Sequence, residues 1–201
     1  DIIVKHKRII FNGNNYAEEW VEEAARRGLP NLKSTVEAIP ALAVEKNIKV
    51  FAKHKVLTEV ESASRYEIML ESYVKTMRIE ALTMIEMASR QILPAILASM
   101  KKTADTVSAL TAAGANATIA KKLLDKTVTL AGEMDDAVAA LQSAVDHVDN
   151  AQGDSLDHAK YIHEKIVPIM ATARKAADEL ETIVDSALWP FPTYIDLLFK
   201  L

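Results

Sequence analysis

The chain of 201 residues has no cysteine at all. That absence removes disulfides, thiolate nucleophiles and most structural zinc sites together, and it fits a reducing compartment, the cytoplasm by default. Glycine and proline are scarce, at five and six residues, which is too few for the turns of an all-β fold. Apolar runs are short. The longest uncharged stretch, 106–120, is rich in Thr, Ser, Gly and Asn and falls short of the ~20 apolar residues a membrane span needs. Positive charge is not in excess either: 24 Lys and Arg stand against 28 Asp and Glu, a formal charge of -4. A general nucleic-acid binder would show a strongly basic face. The one basic cluster, Lys5-His6-Lys7-Arg8, lies beside a strand pattern and reads as an exposed edge. No signal peptide is visible, and a chain that opens on Asp1-Ile2 is expected to be a piece of a longer protein.

What is present is helix-forming. Apolar residues make up 50% and charged ones 26%, the balance of an ordinary globular protein. The expected fold is mainly all-α. Residues 1–57 carry short elements: a strand at Ile9 to Phe11, a turn at Asn12 to Asn15 where Gly and Asn tolerate positive φ, a helix over Tyr16 to Arg27 ended by Gly28 and Pro30, and helical pieces at Thr35 to Ala38 and Ala41 to Lys53. Residues 58–201 form a second region of long helices. Val60, Ala63, Tyr66, Leu70, Tyr73 and Met77 recur at helical spacing in a helix that continues to Gly114 with a bend at Pro94. Its Ile79 to Met100 part is apolar on nearly every side and calls for cover on several faces.

Asn116 caps the next helix, whose seam runs Ile119, Leu123, Leu130, Met134, Val138, Leu141, Val145 and Val148. Gly153-Asp154-Ser155 breaks it and caps a third, with a stripe from Leu156 through Ile162, Ile166 and Leu180 to Val184 and a second internal proline, Pro168. Two long stripes with a short break between them predict an antiparallel helical hairpin, docked on the first helix as a three-helix bundle. The closing Trp189, Phe191, Tyr194, Leu197, Leu198 and Phe199 are too apolar to leave in water and are expected to dock.

Several segments carry a resemblance. Asn12-Gly13-Asn14, Tyr16-Ala17-Glu18-Glu19-Trp20 and Arg27-Gly28-Leu29-Pro30-Asn31 closely resemble the last part of type III glutamine synthetases. So do Ser64-Arg65-Tyr66-Glu67-Ile68, Ile79 to Met84, Arg90 to Ala95, and the ending Leu188-Trp189-Pro190-Phe191-Pro192-Thr193-Tyr194. Residues 103–154 have no distinctive match. The resemblance implies a parent ligase that joins glutamate and ammonia using ATP and divalent metal (Mg or Mn), assembled as a ring homo-oligomer. It also implies that 1–57 form the C-terminal edge of a catalytic barrel earlier in the same chain and that 58–201 are a helical appendage. The family's metal-binding glutamates and phosphate-binding arginines have no counterpart motif in this sequence, so no catalytic, cofactor or metal residue is assigned.

The residues themselves offer little chemistry. No Gly-x-x-x-x-Gly-Lys-Ser/Thr, Gly-x-Gly-x-x-Gly or Gly-x-Ser-x-Gly pattern occurs. A di-iron bundle needs Glu-x-x-His on two helices, and His6, His54, His147, His158 and His163 each lack a Glu three residues earlier. Asp146, His147 and Asp149 read as a polar helix face. Glu80 and Glu86, charged within the most apolar helix, read as structural: Arg90 is placed for Glu86, while Glu80 needs a partner from another element. Met69, Met77, Met84 and Met87 read as core filler. Two functions of different class follow: the oligomer-stabilising C-terminal part of the ligase, or a free-standing helical interaction or sensor module. A strand with no sheet partner inside the chain favours the first.

Overall fold

The computed structural model describes residues 1–192 and 194–199, without the side chains of residues 194 and 195. The chain divides into two compact units, residues 1–66 and 67–201.

In the first unit a short α1 (Ile2–Lys5) is followed by a 3-10 turn at Lys7–Ile9, then α2 (Glu18–Arg26), α3 (Thr35–Ala38), a 3-10 turn at Ile39–Ala43 carrying Pro40, and α4 (Glu45–Lys53). The helix α2 opens on Glu18 and Glu19 and closes on Arg26, charges that suit the helix dipole. Gly28, at φ 71°, then donates its N–H to Ala25 while Leu29 donates to Ala24, the paired bonds of a Schellman stop. Ser34 caps α3 through a reciprocal pair of bonds with Glu37.

The strand expected at Ile9 to Phe11 does not form, and no described residue is in a strand. Ile10 is extended, at φ -93° and ψ 127°, but a lone extended segment has no ladder to join. The Arg27 guanidinium instead donates to the carbonyls of Arg8 and Ile10, 2.8 Å each, so a side chain satisfies the acceptors a neighbouring strand would have taken. The turn at Asn12 to Asn15 also differs from expectation, since no residue in it has positive φ. A Cβ at Gly13 would lie 2.6 Å from the Phe11 ring, so a larger residue there would have to push that ring aside.

The long helices make a three-helix bundle. α5 (Glu59–Met87) and α6 (Leu93–Ala112) form one rod, α7 (Thr118–Asn150) a second, and α8 (Ser155–Tyr161) with α9 (Val167–Glu181) a third. Two core clusters give their directions. One joins Ile92 and Ile96 to Leu130, Met134 and Val138 and to Leu180 and Val184. The other joins Ala81 to Leu141, Val145 and Val148 and to Ile162 and Ile166. Advancing along α7 therefore means retreating along both other rods, so α7 is antiparallel to each. Asp154 caps α8 by accepting from the Asp157 N–H at 2.8 Å, which closes the hairpin. At the α6–α7 break, Gly114 at φ 71° ends α6, and the Asn116 side chain accepts from the Thr118 N–H at 2.8 Å.

Both internal prolines are absorbed by π turns. Ala88–Ile92 precedes Leu93-Pro94 and Ile162–Ile166 precedes Val167-Pro168. In each, the residue before proline donates five residues back, Leu93 to Ala88 and Val167 to Ile162. Proline has no N–H and its ring clashes with the carbonyl four residues earlier. Widening the turn by one residue relieves that clash while keeping the rod continuous.

Three sequence expectations are corrected by burial. The α7 seam starts late: Ile119 is 87% exposed, whereas Leu130 to Val148 are buried. The apolar Ile79 to Met100 segment is not covered all round, since Ile79 and Leu97 are about two-thirds exposed. The tail docks only in part. Trp189 and Phe191 pack on the first core cluster, while Leu197, Leu198 and Phe199 near α10 (Tyr194–Leu198) stand in solvent. The Thr193 position and the Tyr194 side chain, the latter expected to dock, lie outside the described residues.

Candidate functional site

A groove of about 1110 Å³ lies on the second unit between the α5–α6 rod, α9 and the tail. Its composition follows from the π turn and the uncovered face of α5. The π turn presents Ala88 and Ile92 to it, and the uncovered side of α5 presents Thr83, Met84 and Met87. Met134 and Met170 add further thioethers, and Trp189 and Phe191 form an aromatic wall, 6.3 Å apart and edge-on. The methionines expected as core filler thus divide: Met84 and Met87 line an open surface, where flexible, polarizable side chains suit an adaptable contact.

The groove has charged edges and an apolar floor. Arg174 is engaged by Asp178 at 3.3 Å, and Lys175, Glu179 and Glu181 complete that side. Glu80 is exposed on the opposite edge. Burial, and after it the charge of Glu80, hold the Tyr73 phenol above its ordinary value. Glu86 pairs with Arg90 at 3.5 Å, both largely in water, as their spacing implies. One polar atom stands out: the indole Nε1 of Trp189 is buried with no hydrogen-bond partner.

The other singled-out residues do not converge on this groove. His147 stacks on Tyr161 at 4.7 Å. His158 lies against Gly153, where an added Cβ would sit 3.5 Å from its Nε2, and that nitrogen is buried without a partner. Among the described residues no three His, Asp or Glu side chains are placed to hold a metal ion, and no helix is long and apolar enough to cross a membrane. Asp149, read from sequence as polar surface, accepts two bonds of 2.6 Å from Arg78. That guanidinium holds its carboxyl below the ordinary value. No local spacing signals a pair 71 residues apart.

In the first unit, Arg27 sits 6.0 Å from the Phe11 ring centroid and 5.8 Å from that of Trp20, and those rings pack at 4.8 Å. Its Nε also bonds Glu23 at 2.5 Å, and this bond holds the Glu23 carboxyl below its ordinary value. Arg27 therefore ties the turn to α2.

The family model described as "Glutamine synthetase C-terminal domain" matches residues 1–111. The chain is 35% identical over 208 residues to a glutamine synthetase of Butyrivibrio fibrisolvens, covering all of this chain and 29% of that protein. It is 32% identical over 204 residues to the type-3 glutamine synthetase of Dictyostelium discoideum, covering 99% and 28%. A glutamine synthetase of Bacteroides fragilis is 27% identical over 203 residues, covering 98% and 28%. The chain thus spans less than a third of the length of the curated relatives it matches.

Proposed function

Since the chain belongs to the glutamine synthetase C-terminal domain family, we propose that it is the C-terminal helical portion of a type III glutamine synthetase and braces the assembled enzyme without performing chemistry. The parent is then a cytoplasmic ligase that uses ATP and a divalent metal to make glutamine from glutamate and ammonia. Residues 1–57 finish the catalytic domain and 58–201 form the appendage. The catalytic, nucleotide and metal residues belong to the preceding part of the parent, and no residue here is assigned to them.

The observation that carries this reading is the pattern of exposed apolar surface. Ile2, Ile3, Val4 and Ile9 in the first unit, and Ile79, Leu97 and the Leu197 to Phe199 tail in the second, are all exposed by more than half. Where such side chains lie together, they mark surfaces that other protein covers. The first set suits the rest of the same chain; the second suits other subunits. Loss of the strand removes one argument against a free-standing module, and the family membership replaces it.

The test is the mass of the full-length enzyme at micromolar concentration, by light scattering. A discrete oligomer that falls to smaller species when residues 67–201 are removed is the expected result. A full-length monomer contradicts the bracing role.

A further inference from the structure

We infer that the groove between the α5–α6 rod and α9 receives the tail of a second copy of this chain, with Leu197, Leu198 and Phe199 as the inserted residues. The inference rests on the bracing role proposed above and names its contact.

Both halves of the contact are present: an open groove and three exposed apolar side chains. The groove offers Met84, Met87, Met170 and the aromatic wall of Trp189 and Phe191 around an open volume of about 1110 Å³. The tail offers three consecutive large apolar side chains, exposed by 64%, 73% and 74%. Asp196 is the one charge in 194–199. An apolar peptide of this kind gains little from the charged edges and much from a methionine and aromatic floor.

The tail's own groove is the nearest one, and Leu197, Leu198 and Phe199 stay outside it. Phe191 lines the groove, and the tail helix begins three residues later. A tether that short gives an effective concentration on the order of millimolar or more for any geometry that closes. The Leu197, Leu198 and Phe199 side chains nevertheless stand in solvent. Pro190 and Pro192 flank Phe191, and each fixes its own φ and restricts the residue before it, so residues 189–192 have little freedom to turn the following residues back. A groove on another molecule has no such restriction.

The contact is also of useful size. A buried Phe removes about 150–250 Å² from water. With two leucines and the matching groove surface counted, reciprocal exchange of two tails reaches on the order of 1,500 Å², within the usual range of about 1,200–2,000 Å² for a stable interface. A single tail reaches half of that.

The experiment uses the full-length enzyme with its other cysteines replaced. Two differently tagged versions are co-expressed, one carrying Phe199→Cys and the other Thr83→Cys, an exposed residue of the groove. Mild oxidation is expected to give a disulfide-linked species bearing both tags. Separately, Leu197→Asp with Leu198→Asp is expected to shift the light-scattering mass toward smaller species, while circular dichroism keeps the helical signal. Three results overturn the inference. If a chain carrying both cysteines gives only an intrachain disulfide, the tail serves its own groove. If no disulfide forms and the oligomer survives the double Asp variant, something else covers the groove and the bracing role stands without it. If the unmodified full-length enzyme is a monomer, the bracing role itself fails.

Discussion

Removing one residue from the middle of a helix normally destroys it as a packing element, because everything beyond the deletion turns by about 100°. The π turn at Ala88–Ile92 predicts an exception. It holds one residue more than an α-helix needs, and Ser89, Arg90 and Gln91 within it are exposed. Deleting Arg90 together with Pro94→Ala lets the turn close as ordinary α-helix, with Ala81 on one side and Ile96 on the other still facing the core. The expected cost is about 1 kcal/mol, typical of a tolerated change. Deleting Arg90 alone leaves Pro94 inside a tight turn, which costs ~3 kcal/mol or more.

The comparison is deletion of exposed Glu133 in the regular part of α7. There the turn carries Met134, Leu141 and Val145, all exposed by 1% or less, out of register with Leu130. At about 1.5–3 kcal/mol for each side chain, the loss is comparable to the whole stability of a domain, about 5–15 kcal/mol. The assay is urea unfolding of the 201-residue chain, followed by circular dichroism. With a slope of about 2 kcal/mol/M, the first variant shifts its midpoint by ~0.5 M, and the Glu133 deletion shows no cooperative transition. Equal damage from both deletions would refute the account of the proline-linked turns.

Other substitutions probe separate parts of the reasoning. Leu141→Ala empties a fully buried position between Ala81, Val145 and Ile166; it should destabilise by about 2–5 kcal/mol, and a loss below ~1 kcal/mol in urea melts would mean that cluster is loosely packed. Lys55 sits at φ 53° in a helix stop built like those at Gly28 and Gly114. A left-handed residue with a side chain costs about 1–2 kcal/mol, partly offset by glycine's greater freedom when unfolded, so Lys55→Gly should stabilise by about 0.5 kcal/mol and Gly28→Ala should destabilise. The Asp149 carboxyl is held below its ordinary value of 3.8 by Arg78. Its contribution is therefore present above that value and lost as pH falls through the lower, folded-state value. Asp149→Asn should flatten the acid limb of a thermal-stability profile below about pH 4 and leave the neutral region with a constant offset; an unchanged acid limb would show the pair contributes nothing.

The helical rods were readable because each of their signals is local. Asp154 caps where the sequence places a cap, and Leu130 to Val148 bury the face their spacing defines. What escaped depends on distant partners. A strand pattern at Ile9 to Phe11 records side-chain preference and says nothing about which donor meets the carbonyls, and Arg27, 17 residues beyond Ile10, supplies it. Gly13 suggested a left-handed turn because glycine has two uses, and only the Phe11 ring lying over it decides between them. The prolines announced a disturbance without revealing that a wider turn would take it up. The groove was hidden for a related reason: all-round apolarity in Ile79 to Met100 shows that cover is needed, but not whether this chain provides it. The Arg78–Asp149 pair depends on bundle geometry that no short-range pattern encodes.

The central claim is that this chain supports a ligase and carries no turnover of its own. The direct measurement is glutamine formation by the purified 201-residue chain given glutamate, ammonia, ATP and magnesium, beside the full-length enzyme under the same conditions. The account predicts glutamine from the full-length enzyme and none above background from the chain alone. Sustained glutamine formation by the chain would contradict it.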